Sequence, residues 1–265
     1  MRNRSFDERR AIWLAAACVQ TYRQYEHPDG EFAVPAGYQV DSAFIAHSLN
    51  RVWEPFGFIL ESPEEIVVAF RGTSSTSDWL SDALASQVDY PYAKNAGKTH
   101  RGFTEIYQTA RDQILTTLRG KNAAKALYIT GHSLGGALAV LCAMDAASNT
   151  GFRSPILYTY GAPRVGSPAF VASFSRRQIA YRRISNLYDA VTYLPPPTVR
   201  IPRTGLVFEY RHIKPFVALE FRGRSVASNH VIGSYFAELS KRDPSYAKAL
   251  CEANPGFCPV PPSSG

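Results

Sequence analysis

The order of apolar runs along the chain predicts an α/β fold, with a mostly parallel central sheet covered by helices on both faces. Residues 56–60 and 65–70 are strand-length runs rich in branched and aromatic side chains, close enough in sequence to pair. Residues 102–118 place apolar side chains near one helical face, and residues 135–147 are a predicted helix rich in Ala and Leu. Strands that alternate with helices indicate parallel pairing with both sheet faces buried.

Three further strands are predicted, at residues 126–130, 155–160 and 181–186. The first leads directly into a glycine-rich turn, and a Pro-rich loop follows the last. The chain of 265 residues has no internal repeat and no linker. We therefore expect one domain over residues 1–265, with a Pro-rich tail at 259–265.

Composition and charge narrow the classes of function. Hydrophobic residues make up 45% of the chain and charged residues 19%, a globular composition without an apolar run long enough to span a membrane. The net charge is +7, but Lys and Arg occur as scattered pairs, which argues against a nucleic-acid partner. A soluble basic surface and one mildly attracted to anionic lipid both fit this charge.

The four cysteines give two expectations. Cys18 and Cys142 sit in apolar runs and are interpreted as small buried side chains. Cys251 and Cys258 bracket a short loop containing Pro and Gly, where a disulfide and two free thiols fit about equally well. Because there is no CxxC pair and no His/Cys cluster, we expect no metal site.

The first twenty residues imitate a secretory signal, because arginines precede a short apolar stretch. Asp7 and Glu8 interrupt the basic part, and Ile12 and Ala16 begin a series of apolar residues at helical spacing. We therefore expect an amphipathic first helix of the fold instead of a signal peptide. A cytoplasmic location and export by another route both fit this interpretation, and secretion is a close alternative.

The sequence GHSLG at residues 131–135 lies between a predicted strand and a predicted helix. A sharp turn at such a junction strains the serine backbone and leaves no room for side chains two residues before and after it, so that glycine is needed at both places. The turn lifts the serine hydroxyl above the sheet edge, where N–H groups at the start of the next helix stabilise an oxyanion. The pattern predicts a nucleophile at Ser133.

A serine nucleophile needs a histidine base and an acid that orients it, in the chain order Ser, Asp or Glu, His for this type of turn. Of six histidines, only His212 and His230 follow the serine without adjoining it. His212 alternates like an edge-strand residue, whereas His230 lies on a loop before an apolar helix. Asp189 follows a predicted strand at the sheet edge where such sites collect, so we predict Asp189 and His230 as the partners. Other acids lie too far along a helix or within strand-like runs: Asp145, Glu209 and Glu220.

With these residues assembled, the chain resembles the class 3 lipases, the fungal-lipase-like branch of the α/β-hydrolases. The matching segments follow the family's order: VVAFRGTSSTSDWLSD, HRGFTEIY, ITGHSLGGALAVLCAMD, LYTYGAPRVGSPAF, NLYDAVTYLPP and NHVIGSYF. They run from residue 67 to residue 236. The resemblance implies an α/β-hydrolase fold and a catalytic triad on Ser133, Asp189 and His230.

The resemblance also implies an oxyanion hole formed by Thr73 and the backbone N–H of Leu134. It further implies a lid, a short amphipathic helix over residues 75–85 whose apolar, substrate-facing part is Trp79 and Leu80. Such a helix covers a site in water and exposes its apolar face to lipid. The segment is more polar here than in the fungal lipases, which leaves interfacial activation open.

Together these residues predict a serine carboxylic-ester hydrolase of the lipase type that needs no cofactor and no metal. Triacylglycerol is the expected substrate, and phospholipid (an A1-type phospholipase) and soluble feruloyl-type esters are alternatives within the same chemistry. A catalytically dead binding protein of the same fold and a peptidase are remote alternatives. The expected partner is a lipid or ester substrate at a lipid–water interface, and the sequence gives no oligomeric state.

Overall fold

The structure is a computed structural model that describes residues 6–27, 29–48, 50–73, 86–201 and 204–260. The α-helices are α1 (Glu8–Glu26), α2 (Arg101–Arg119), α3 (Leu134–Asn149), α4 (Pro168–Ser175), α5 (Ile232–Ser240) and α6 (Pro244–Ala253). The strands are β1 (Gln39–His47), β2 (Trp53–Glu61), β3 (Glu65–Phe70), β4 (Gln87–Asp89), β5 (Lys98–His100), β6 (Ala126–His132), β7 (Ile156–Tyr160), β8 (Ala180–Asn186), β9 (Thr198–Arg200), β10 (Val207–Glu209) and β11 (Phe216–Leu219). Short 3-10 turns cover Ala190–Tyr193 and Ala227–Asn229.

Two predictions fall outside the described residues. The lid over residues 75–85, with Trp79 and Leu80, is one of them, and the last five residues of the Pro-rich tail are the other.

Within the described ranges, seven strands form one sheet in the order β1, β2, β3, β6, β7, β8, β11. The pairs β1/β2 and β2/β3 are antiparallel, and every later neighbouring pair is parallel. The strands predicted between residues 56 and 186 are all present, and the first two pair as expected. The mostly parallel sheet confirms the predicted α/β class.

Of the two edge strands of this sheet, β1 was not predicted from the sequence, and β11 was indicated only by the strand-like run around Glu220. In β1 only Phe44 and Ala46 are buried, because one side of this edge strand faces solvent. β11 has four residues, too few to establish a periodicity. Edge strands therefore lack the continuous apolar run that identifies the inner strands.

The helices cover the sheet on both faces, as the alternating pattern predicts. α2 and α3 pack on one face, while α1, α5 and α6 pack on the other. α1 was expected to be amphipathic, but it is buried on all sides from Ala11 to Cys18. The reason is that α5 and α6 cover the side of α1 that does not face the sheet.

The parallel register brings the carboxyl ends of the inner strands to one edge of the sheet. Phe70 of β3 lies opposite Gly131 of β6, and His132 lies opposite Tyr160 of β7. Side chains that follow these strands therefore meet above one edge, where sites of open α/β sheets collect.

The cysteines divide as two pairs. Cys251 and Cys258 form a disulfide at the end of α6, which settles the alternative left open by the sequence. Cys18 and Cys142 are buried free thiols, as predicted. Among the residues that the structure describes, no helix is both long and apolar enough to cross a membrane.

Candidate active site

The serine turn, defined as residues 131–135, joins β6 to α3 in a strained conformation. Ser133 has φ 57° and ψ −128°, in a region that costs a side chain about 1–3 kcal/mol. A Cβ atom added to Gly131 would lie 2.2 Å from the carbonyl oxygen of Gly135, and one added to Gly135 would lie 2.4 Å from the carbonyl oxygen of Phe70. Both glycine positions therefore exclude any side chain.

The neighbouring strand fixes the turn from the side. The N–H of Ser133 donates to the carbonyl oxygen of Tyr160 in β7, at 2.9 Å. The next residue, Leu134, begins α3 and is fully buried. The serine side chain is thus held between a sheet edge and a helix N-terminus.

Ser133, His230 and Asp189 lie in one hydrogen-bonded row. His230 Nε2 is 2.7 Å from Ser133 Oγ, and His230 Nδ1 is 2.7 Å from Asp189 Oδ2. Because a carboxylate only accepts, Nδ1 carries the ring proton and Nε2 faces the serine hydroxyl as an acceptor. Ser133 and Asp189 are fully buried, and the His230 side chain is 12% exposed. The three side chains meet above the sheet edge although they lie far apart in sequence.

Asp189 is held by three donors in a buried environment. Its Oδ1 accepts from the N–H of Val191 at 2.9 Å, and its Oδ2 accepts from Tyr235 Oη at 2.6 Å as well as from His230. Tyr235 Oη in turn accepts from the N–H of Asn186 at 3.0 Å. Burial and the charge of Asp189 raise the pKa of Tyr235 well above its usual value of 10, so that the phenol stays protonated as a donor.

The histidine loop, defined as residues 220–231, is held by two asparagines. Asn186 Nδ2 donates to the carbonyl oxygen of Asn229 at 3.1 Å, and Asn186 Oδ1 accepts from the N–H of Phe221 at 3.2 Å. Asn229 Oδ1 accepts from the N–H of Gly223 at 2.7 Å. The loop is therefore fixed at both ends to β8, next to the residue that it presents.

The two predicted oxyanion donors both adjoin the serine turn. Thr73 lies just after β3 and lines the pocket that contains His230. Its neighbour Gly72 packs so closely that an added Cβ atom would lie 3.1 Å from Ser133 Cβ. The N–H of Leu134 is at the positive end of α3, where backbone donors point toward a developing anion. Leu134 is thus next to Ser133 in the chain, and Thr73 directly follows the glycine that packs against Ser133.

A pocket of about 600 Å³ opens beside His230, within the range of pockets that bind small molecules. Val226 and Val231, on the histidine loop, lie at the pocket and are 72% and 51% exposed. Arg23 and Glu26 of α1 place charge on the same wall. The other apolar lining residues are Val19, Ala190, Val191, Ala227 and Ile232.

The acids and the histidine that the sequence analysis set aside have other contacts. Asp145 is buried and bonds to Tyr107 and Arg111. His212 Nε2 donates to the carbonyl oxygen of Thr192 at 2.6 Å, and burial lowers its pKa to about 3. The remaining two acids lie at strand ends: Glu209 ends β10, and Glu220 follows β11.

Three side chains at the site were not predicted from the sequence. Tyr235 lies one and a half helical turns after His230, a spacing with no strong signal of its own. Tyr22 Oη lies 2.7 Å from His132 Nδ1, and His132 Nε2 lies 2.6 Å from the carbonyl oxygen of His230. Tyr22 comes from α1, 110 residues before its partner, so that only the tertiary structure identifies it.

The family model described as Lipase (class 3) matches residues 67–199. The chain belongs to this family. A lipase of Rhizomucor miehei is 39% identical over 142 residues, which cover 51% of this chain and 39% of that class 3 relative. The secreted mono- and diacylglycerol lipase 1 of Fusarium solani is 32% identical over 230 residues, which cover 78% of this chain and 66% of the relative.

A solved lipase structure from Rhizopus microsporus var. chinensis matches this class 3 chain with a TM-score of 0.64 and 27% identity. The match covers 80% of this chain and 74% of that one. It confirms the predicted α/β-hydrolase fold. The chain nevertheless spans only about two fifths of the length of the Rhizomucor lipase, 39%.

Proposed function

We propose that the protein is a serine carboxylic-ester hydrolase that acts on glycerolipids, with triacylglycerol as its substrate. The observation that carries the proposal is the row from Ser133 Oγ through His230 to Asp189, with both distances at 2.7 Å. Membership of the class 3 lipase family supports it independently.

The proposed reaction is acyl transfer to water. His230 Nε2 takes the proton of Ser133 as the serine oxygen attacks the ester carbonyl, and the same proton then passes to the departing alkoxide. Thr73 and the N–H of Leu134 stabilise the oxyanion of each tetrahedral intermediate. A water molecule, activated by His230, then hydrolyses the acyl-enzyme and releases the fatty acid. Asp189 remains ionised and holds the ring of His230 in the required tautomer.

The pocket supports a lipid substrate. Its walls are mostly apolar side chains, which lower the free energy of a bound acyl chain by removing it from water. The exposed Val226 and Val231 at the same pocket suit contact with a lipid–water interface. We therefore propose that the partner is a lipid surface from which the ester enters the pocket.

Phosphatidylcholine is the second candidate substrate. Arg23 and Glu26 place one positive and one negative charge on the pocket wall, which suits the two charges of a zwitterionic head group. Triacylglycerol has no charge for these side chains to contact. Higher activity on phosphatidylcholine than on triolein would therefore indicate that Arg23 and Glu26 contact the head group.

A substrate panel tests the proposal. Purified protein is assayed on triolein, phosphatidylcholine and p-nitrophenyl esters of rising chain length, with Ser133→Ala as the control. We expect Ser133-dependent release of fatty acid and the highest activity on long-chain glycerolipid. Turnover retained by Ser133→Ala would reject the assignment of the nucleophile.

Two probes separate the remaining classes of function. A fluorophosphonate forms a covalent bond with an activated serine, so that a dead binding protein would not be labelled. Cleavage of casein without cleavage of esters would identify a peptidase instead. We expect labelling of wild type, no labelling of Ser133→Ala, and no casein cleavage.

A further inference from the structure

Two side chains outside the proposed triad connect the oxyanion side of the site to the base. The hydroxyl of Tyr22 packs against Gly72 and lies 2.7 Å from His132 Nδ1. His132 Nε2 lies 2.6 Å from the carbonyl oxygen of His230. A chain of hydrogen bonds therefore runs from Tyr22, which packs against Gly72 next to Thr73, to the backbone of His230.

The chemistry of the groups fixes the direction of these bonds. A carbonyl oxygen only accepts, so that His132 Nε2 carries a proton and donates a hydrogen bond to the carbonyl oxygen of His230. Burial lowers the pKa of His132 well below its usual value, and the ring is neutral with Nδ1 free to accept. Tyr22 donates to that nitrogen, while its oxygen packs against Gly72. Each hydrogen bond thus has a fixed donor and a fixed acceptor.

The packing around these bonds leaves little freedom. The rings of Tyr22 and His132 have centroids 5.8 Å apart, and those of His132 and His230 have centroids 4.6 Å apart. A Cβ atom added to Gly72 would lie 2.2 Å from Tyr22 Oη and 2.8 Å from the carbonyl oxygen of His132. Any shift of one group therefore displaces the next.

We propose that Tyr22 and His132 are positioning residues, which hold the backbone of His230 at a fixed distance from the strand end that carries Thr73. The inference rests on the proposed ester hydrolysis. An oxyanion donor and a base on separate segments act together only when their spacing is fixed, since small misplacements of reacting groups are costly. Here the two segments come from β3 and from the histidine loop, and α1 supplies the hydroxyl that joins them.

Three variants test whether the hydrogen bonds of Tyr22 and His132 matter, beyond the space that the two side chains fill. Tyr22→Phe keeps the ring and removes the hydroxyl. His132→Leu fills the site but removes both nitrogens, whereas His132→Gln restores a donor and an acceptor in one side chain. Tyr90→Phe is the matched control, because it removes a tyrosine hydroxyl that makes a hydrogen bond in the core, to the carbonyl oxygen of Leu141. Thermal unfolding is recorded for each variant.

The expected result is a loss in kcat without a matching change in KM on a p-nitrophenyl ester. Tyr22→Phe lowers kcat about tenfold, the loss of one ordinary hydrogen bond, and changes KM by less than about twofold. His132→Leu lowers kcat at least as much, and His132→Gln recovers part of it. Because both residues belong to one chain of bonds, adding Tyr22→Phe to His132→Leu costs little more. Tyr90→Phe keeps the wild-type kcat.

Other outcomes overturn the inference. Wild-type kcat in Tyr22→Phe would do so, and so would equal activities of His132→Gln and His132→Leu, since a packing role favours Leu in a buried site. If Tyr22→Phe does not fold, the comparison of the two His132 variants decides alone. Wild type without Ser133-dependent esterase activity would instead reject the proposed function, so that the two failures are distinguishable.

Discussion

The serine turn and the histidine loop hold adjacent side chains by different means. The turn relies on five consecutive residues, a strained Ser133 and two glycines whose neighbours leave no space for a side chain. The loop has no strained residue at its histidine, and it combines internal bonds, such as Gly223 N–H to Asn229 Oδ1, with hydrogen bonds from Asn186 in β8 and the contact of Asp189 with Tyr235 in α5. One half of the site is encoded locally, and the other depends on distant segments as well.

This difference has a consequence for substitutions. A change in the turn meets backbone atoms that cannot move without distorting the sheet, so that we expect its effects to be large and structural. A change around the loop removes one of several bonds, so that we expect graded effects on activity. The variants below test this contrast.

The largest expected effect comes from Asp189→Asn, at the junction of the two regions. The amide offers a donor as well as an acceptor to His230, so that the ring loses its preferred tautomer, and such a change lowers kcat by about 10⁴. Ester hydrolysis under saturating substrate measures it. Asp145→Asn, also a buried aspartate but in α3, is the control and should keep its kcat. A loss below about tenfold in Asp189→Asn would contradict the role proposed for the acid.

The next effect is on stability. Gly135→Ala places a Cβ atom 2.4 Å from the carbonyl oxygen of Phe70, and we expect the free energy of unfolding to fall by about 3 kcal/mol or more because backbone must shift. Urea titration measures the change. In Gly120→Ala the nearest atom is 3.5 Å away and φ is −77°, so this control should be neutral or slightly stabilised. Equal stabilities of the two variants would show that the turn is less constrained than its geometry indicates.

Tyr235→Phe removes one of the donors to Asp189 but leaves His230 and Val191 in place. A hydrogen bond to a charged group contributes about 1.5–3 kcal/mol, and we therefore expect kcat to fall by about tenfold to a hundredfold. Tyr107→Phe removes a similar bond to Asp145 in the core and should lower stability without lowering kcat. Equal losses of kcat in both variants would show that the bond of Tyr235 to Asp189 has no special effect on activity.

The smallest expected effect, counted per pH unit, is on the pH dependence of stability. The pKa of His212, whose ring donates to the segment after Asp189, is lowered to about 3 by burial. Its ring is neutral in the folded state, and its contribution is therefore complete above the unfolded pKa of about 6.5 and is lost as the pH falls toward 3. The slope is at most about 1.4 kcal/mol per pH unit. His212→Gln keeps a donor that does not titrate, so that urea midpoints between pH 6 and pH 4 should fall less steeply than in wild type.

The contrast also explains what the sequence could predict. Ser133 and its glycines form a pattern of five residues, and the strand and helix on either side are apolar enough to identify. Asp189 and His230 follow from the chain order of such sites and from their places after a strand and before a helix. The structure places these three side chains in contact, and their catalytic roles remain the prediction that the experiments above test.

The sequence contains no comparable pattern for side chains whose partners lie on distant segments of the chain. Tyr22 lies in a helix whose sequence indicates one apolar face, and nothing in that pattern points to a residue 110 positions later. Nothing in the sequence distinguishes Asn186 and Asn229 from other polar residues, because their role depends on the packing of the histidine loop against β8. The edge strand β1 was missed for a related reason, because its pairing with β2 and not its periodicity defines it.

Helix α1 lies between the sheet and two helices from the far end of the chain, which bears on the order of synthesis. On the ribosome, Ser133 is translated 97 residues before His230, and α5 and α6 follow later still. The nascent polypeptide therefore carries the serine for a time without its base and without the cover over α1. The proposed triad is therefore complete only after His230 has been translated, and α1 gains its cover from α5 and α6 later still.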